Sequence, residues 1–118
     1  MIEIIWQYEI RDEARGHFEL AYGPGGALSK LYAGAPGFRG LTLLRDIKEM
    51  GRYLSIEIWD TTAEREEALV ERREAFDKLQ ADFSEWSRSG REVGSFRILA
   101  EASVRPKRKT RRGRAGRR

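Results

Sequence analysis

Hydrophobic positions alternate at the start of the chain. Ile2, Ile4, Trp6, Tyr8 and Ile10 fall on one side, with Glu3, Gln7 and Glu9 opposite. A period of two in β-branched and aromatic residues predicts a strand. From Asp12 the period changes. Ala14, Phe18, Ala21 and Tyr22 stand at i, i+4, i+7 and i+8, one face of a helix for which Asp12 supplies an N-cap. Gly23-Pro24-Gly25-Gly26 breaks that helix, because proline lacks a donor and glycine tolerates positive φ. A short helical piece over Ala27 to Tyr32 follows, then a turn at Gly34-Ala35-Pro36-Gly37.

Phe38 to Ile47 and Arg52 to Trp59 read as two strands of an antiparallel hairpin turning at Lys48–Gly51. Thr61-Thr62-Ala63-Glu64 has the form of a capping box and opens a long helix. Its apolar stripe is Leu69, Phe76, Leu79, Phe83 and Trp86, and Gly90 is the expected stop. Glu92 to Leu99 is the last strand, with Val93 and Phe96 as its bulk. The order βαββαβ predicts a ferredoxin-like α+β domain, helices covering one face of a four-stranded antiparallel sheet. Leu54, Ile56 and Ile58 then lie on the other face, too apolar to leave in water. A second copy packed sheet against sheet, making a homodimer, would cover them.

Charge divides the chain in two. Of 23 Lys and Arg, nine fall in residues 105–118 (RPKRKTRRGRAGRR), which hold no acid. The preceding residues carry 14 basic and 19 acidic side chains, a net charge of −5. The chain therefore divides into a domain over residues 1–100 and a basic tail over 101–118, expected to be disordered in isolation. Such a tail would attract nucleic acid through counterion release, without sequence preference, or serve as a solubilising extension. The absence of cysteine excludes disulfides, thiolate metal sites and thiol catalysis, and a single histidine excludes a multi-His metal site within one subunit. No apolar run is long enough to span a membrane and the N-terminus lacks signal-peptide features, so a cytoplasmic protein with no membrane partner is expected.

Four segments, in order, carry a resemblance: Phe18-Glu19-Leu20-Ala21-Tyr22-Gly23-Pro24, Ala35-Pro36-Gly37-Phe38, Leu43-Leu44-Arg45-Asp46, and Arg52-Tyr53-Leu54-Ser55-Ile56-Glu57-Ile58-Trp59-Asp60. Across about residues 2–99 the chain resembles the antibiotic biosynthesis monooxygenase domain family of the dimeric α/β-barrel superfamily. That resemblance implies two sheets closing into a barrel and a pocket for a small organic molecule between sheet and helices. The strand tryptophan of polyketide-oxidising members corresponds to Trp59, the asparagine four residues earlier to Ser55, and the helix tyrosine six residues later to Arg65. The haem-degrading branch uses a strand Asn, a helix Trp and a helix His, where this chain carries Trp6, Ala68 and Lys78.

Tyr53, Ser55, Glu57 and Trp59 share one strand face, which joins them to Trp6 and Tyr8 in an aromatic pocket with hydroxyls and one carboxylate. Oxygenation of an acidic phenol needs no metal, flavin or haem: a polar site stabilises the substrate anion, which itself reduces oxygen. The expected catalytic set is Glu57, Trp59 and His17, with Trp6, Tyr8, Phe18, Tyr22, Tyr53 and Ser55 contacting a small aromatic or polyketide-like ligand. Glu57 would serve as base if burial raised its pKa, and His17 would move protons at the pocket mouth. The alternative is that the aromatics fill core and Glu57 pairs with an arginine, leaving a noncatalytic ligand-binding or structural dimer.

Overall fold

The computed structural model describes residues 1–100; the expectation for the basic tail falls outside them. Four strands form one antiparallel sheet: β1 (Ile2–Ile10), β2 (Phe38–Arg45), β3 (Arg52–Trp59) and β4 (Ser87–Arg97), in the order β2-β3-β1-β4. A 3-10 turn (Asp12–Ala14) leads into α1 (Arg15–Tyr22), followed by α2 (Ala27–Tyr32), α3 (Thr62–Glu71) and α4 (Arg73–Trp86). This is the ferredoxin-like α+β architecture. No described helix is long and apolar enough to cross a membrane.

The register of β1 on β3 determines what meets beneath the helices. Ile2 faces Trp59, Ile4 faces Glu57, Trp6 faces Ser55 and Tyr8 faces Tyr53. Because side chains alternate along a strand, all of these project to the helical side. Ile2, Ile4, Phe18, Tyr22, Leu28, Tyr32, Tyr53, Trp59, Ala68 and Leu79 are buried there. Full burial of a large apolar side chain contributes about 1.5–3 kcal/mol, so this layer holds the helices on the sheet. On the opposite face Ile5 pairs with Ile56 and Leu44 with Leu54. Leu54, Ile56 and Ile58 are half-buried there within one chain.

Several boundaries differ from the expectations. Asp12 is not the cap of α1: it lies inside the 3-10 turn, and α1 starts at Arg15 without a side-chain cap. Strand β2 ends at Arg45, because the Asp46 carboxylate accepts from the backbone N–H of Lys48 (2.7 Å) and Glu49 (3.1 Å) and curls the chain into the turn. The long helix is two. At Arg72 (φ −113°, ψ 29°) the backbone leaves helical geometry. α3 packs on β3, while α4 packs on α1, α2 and β4, so the two segments follow different supports. The capping box does open α3, Thr61 Oγ1 accepting from the Glu64 N–H at 3.2 Å. Gly90 is no helix stop. α4 ends at Trp86, β4 begins at Ser87, and Gly90 lies within the strand opposite Tyr8. A β-bulge leaves Val93 unpaired, since Ile5 faces Gly94 while Trp6 faces Glu92.

Candidate functional site

A cavity of about 380 Å³ lies between the sheet and the helices. β1 supplies Trp6 and Tyr8, α1 supplies Tyr22, and α2 supplies Leu28 and Tyr32. Glu57 enters from β3, Arg65 from α3, and Phe76, Gln80 and Phe83 from α4; Gly90 of β4 completes the lining. Gln80 and Gly90 are exposed and mark the mouth.

Tyr8 organises the wall. Its ring stacks on Trp6 (6.2 Å, 11°) and meets Phe18, Tyr22 and Phe83 edge-on at 5.6, 5.6 and 4.9 Å. Edge-to-face contacts place the positive rim of one ring on the negative face of another, which fixes ring orientation as well as burying area. The close approach of β4 depends on Gly90: a Cβ there would stand 2.9 Å from the Tyr8 ring and 3.3 Å from Phe83.

The polar centre is Glu57, 4% exposed. Its Oε1 accepts from Trp59 Nε1 at 2.9 Å and from Arg65 Nε at 2.8 Å, and its Oε2 accepts a longer bond from the Tyr32 hydroxyl at 3.4 Å. The pairing with an arginine, one of the two alternatives read from the sequence, is therefore what forms. A buried carboxylate without such partners would be costly, so Arg65 and Trp59 are what allow Glu57 to be there. Burial opposes the charge of Arg65, but the adjacent Glu57 carboxylate more than offsets it and holds the guanidinium pKa above its ordinary value. The cavity tyrosines all shift upward. Tyr8 does so through burial, then through Tyr22, Glu57 and Tyr32 nearby; Tyr22 and Tyr32 do so through burial and then Glu57. Their hydroxyls stay protonated near neutral pH, and that of Tyr32 donates to Glu57.

The expected site residues divide between the wall and what lies behind it. Trp6, Tyr8, Tyr22 and Glu57 line the cavity. Trp59 is fully buried behind Glu57, its indole packed edge-on against Tyr32 at 5.0 Å. Phe18 is fully buried against Tyr8 and Tyr22, and Ser55 is buried without lining the cavity. Tyr53 donates instead to Glu19, which also accepts from Arg45; burial and that hydrogen bond push its pKa up to about 12. His17 is exposed on α1, its ring parallel to Trp86 at 6.2 Å, and is not in the cavity wall. The residues missed are Arg65, Tyr32, Leu28, Phe76, Gln80 and Phe83. For Arg65 a signal existed, because the family resemblance places a site residue six positions after Trp59. In the sequence Arg65 stands among Glu64, Glu66 and Glu67, a charge pattern that reads as a solvated helix face.

The described residues thus form an aromatic cavity roofed by helices on a ferredoxin-like sheet. The family model described as antibiotic biosynthesis monooxygenase matches residues 1–75, and the chain belongs to that family. Among curated proteins none matches the chain. Solved structures share its fold at low identity. A variant of SnoaB, a cofactor-independent oxygenase from Streptomyces nogalater, is 20% identical with a TM-score of 0.66, covering 85% of this chain and 94% of its own. An antibiotic biosynthesis monooxygenase homologue from Deinococcus radiodurans is 13% identical with a TM-score of 0.66, covering 90% and 100%. The haem-degrader MhuD from Mycobacterium tuberculosis, with two haems in its active site, is 17% identical with a TM-score of 0.57, covering 87% and 100%.

Proposed function

We propose that this chain is a cofactor-independent monooxygenase acting on a small aromatic or polyketide-like compound held in the cavity between sheet and helices. The observation that carries the reading is the lining itself. Trp6, Tyr8, Tyr22, Phe76 and Phe83 offer ring faces to a planar ligand, and the tyrosine hydroxyls with Arg65 offer donors to its oxygens. In such a reaction the ionised substrate supplies all four electrons that O₂ takes up. One oxygen atom of O₂ replaces two hydrogens at a ring carbon as a carbonyl, and the other leaves as water. Stabilising the substrate anion is then the main task of the protein, which suits fixed donors in a cavity walled by aromatic rings. Glu57, held by Arg65 and Trp59, fits the role of positioning residue better than that of a free base. Trp59 supports it from behind.

Family membership supports this reading, as does the description of SnoaB as a cofactor-independent oxygenase. A haem-degrading reading has less support, since the sole histidine, His17, lies on α1 and neither α3 nor α4 offers an imidazole. We also propose that two copies pair through the open sheet face, and that the basic tail adds nonspecific nucleic-acid contact. The test is oxygen uptake by the full chain with a panel of hydroxylated anthrones and naphthols in the presence of a chelator. One O₂ consumed per quinone formed is the expected result. Binding without oxygen uptake would make the protein a noncatalytic ligand carrier, and no binding at all would remove the cavity reading.

A further inference from the structure

Arg65 carries more hydrogen-bonding capacity than its surroundings use. A guanidinium has five N–H donors. The Nε–H goes to Glu57 and the Tyr32 hydroxyl oxygen lies near enough to take one more, which still leaves most of the terminal N–H groups without an acceptor among the described residues. Yet the side chain is only 16% exposed and lines the cavity. Buried donors are almost always paired with an acceptor, and a charged donor left without one is the costlier case. Glu57 occupies the inner edge of the guanidinium, so it cannot satisfy the outer one. The groups that face Arg65 are Glu57, Tyr32 and Glu92, and Glu57 and Tyr32 are themselves joined by a hydrogen bond.

We propose that Arg65 is the specificity-determining residue of the cavity, and that it selects aromatic ligands carrying a two-oxygen monoanion, either a carboxylate or an enolised dicarbonyl. This rests on the reading of the cavity as a site for an aromatic compound. A planar fork of terminal N–H groups matches two oxygens that share one negative charge, and a point cation does not reproduce that match. The aromatic walls take the ring, and the hydroxyls of Tyr8 and Tyr22 remain donors for further oxygens because neither ionises near neutral pH. Glu57 is the positioning residue that fixes the fork.

The experiment measures equilibrium binding to the full chain by calorimetry at neutral pH. One arm compares naphthoate with its neutral isostere naphthamide. The other compares ionised lawsone with its neutral methyl ether. In each arm the anion is expected to bind at least about tenfold more tightly, the worth of one charge-assisted hydrogen bond. Preference in one arm alone distinguishes carboxylate from enolate as the group recognised. The pair of substitutions Glu57→Gln and Arg65→Gln removes both charges together, and is expected to bring the ratio close to one. Should that variant fail to fold, Arg65→Lys keeps the charge, loses the fork and is expected to narrow the ratio severalfold. Equal binding of anion and neutral isostere overturns the proposal while leaving the cavity reading intact. So does a preference that survives the double substitution, because it then arises elsewhere, the basic tail included. Failure of all four compounds to bind overturns the cavity reading and this proposal with it.

Discussion

At the residue scale the structure turns on one buried carboxylate. Strand alternation alone places Glu57 under the helices with Tyr53, Ser55 and Trp59, so its position was legible. An arginine partner was one of the two alternatives, but which arginine was not legible, because the Arg65 bond depends on where α3 begins and how it lies over β3. That arrangement predicts an asymmetry. Arg65→Met leaves the Glu57 charge buried with only Trp59 and Tyr32 as donors, and should lower unfolding stability by about 3 kcal/mol. The double substitution to glutamine removes both charges and should cost less than the single one. Urea titration measures both, and a wild-type midpoint for Arg65→Met would contradict the pairing. The tyrosines give a second prediction. Tyr8, Tyr22, Tyr32 and Tyr53 all have folded-state pKa values raised above the ordinary value near 10. Their contribution is fully present below that value and is lost as pH rises beyond it toward the folded values. Tyrosinate absorbance should therefore appear together with loss of far-ultraviolet circular dichroism. Reversible titration of all four near pH 10 in a folded protein would contradict their burial.

At the element scale the strands were the most readable part, because β3 alternates cleanly between buried and half-buried positions and β1 does so over its first residues. The break at Arg72 was invisible for a physical reason. Residues Val70 to Glu74 contain neither glycine nor proline, and only the change of packing partner from β3 to the α1, α2 and β4 surfaces divides the helix. Gly90 misled for the opposite reason: a glycine after an apolar stripe resembles a helix stop, whereas here it gives Tyr8 and Phe83 room to approach β4. Gly90→Ala tests that role. Alanine gains about 0.5–1 kcal/mol of backbone preference in a strand, but overpacking against a ring typically costs about 1–3 kcal/mol. A lower melting temperature and weaker ligand binding are expected. A stabilised variant with unchanged binding would show that the rings give way freely.

On the scale of the whole molecule the sheet has one face sealed by helices and one that presents Leu54, Ile56 and Ile58. The proposed dimer follows from that imbalance. Ile56→Asp would place an unpaired charge where the two sheets meet. Sedimentation of the full chain should show a dimer for the wild type and a monomer or unfolded chain for the variant. A wild-type monomer at micromolar concentration would contradict the pairing. The central claim, however, is that the cavity beneath the helices is where this protein works, and the most direct measurement is a crystal structure of the full chain with ionised lawsone bound. The account predicts a ring between the Trp6–Tyr8 wall and Phe83, with its charged oxygens directed at the terminal nitrogens of Arg65. A ring seated on the open sheet or on the outer helix surface, with the cavity side chains unchanged, would contradict it.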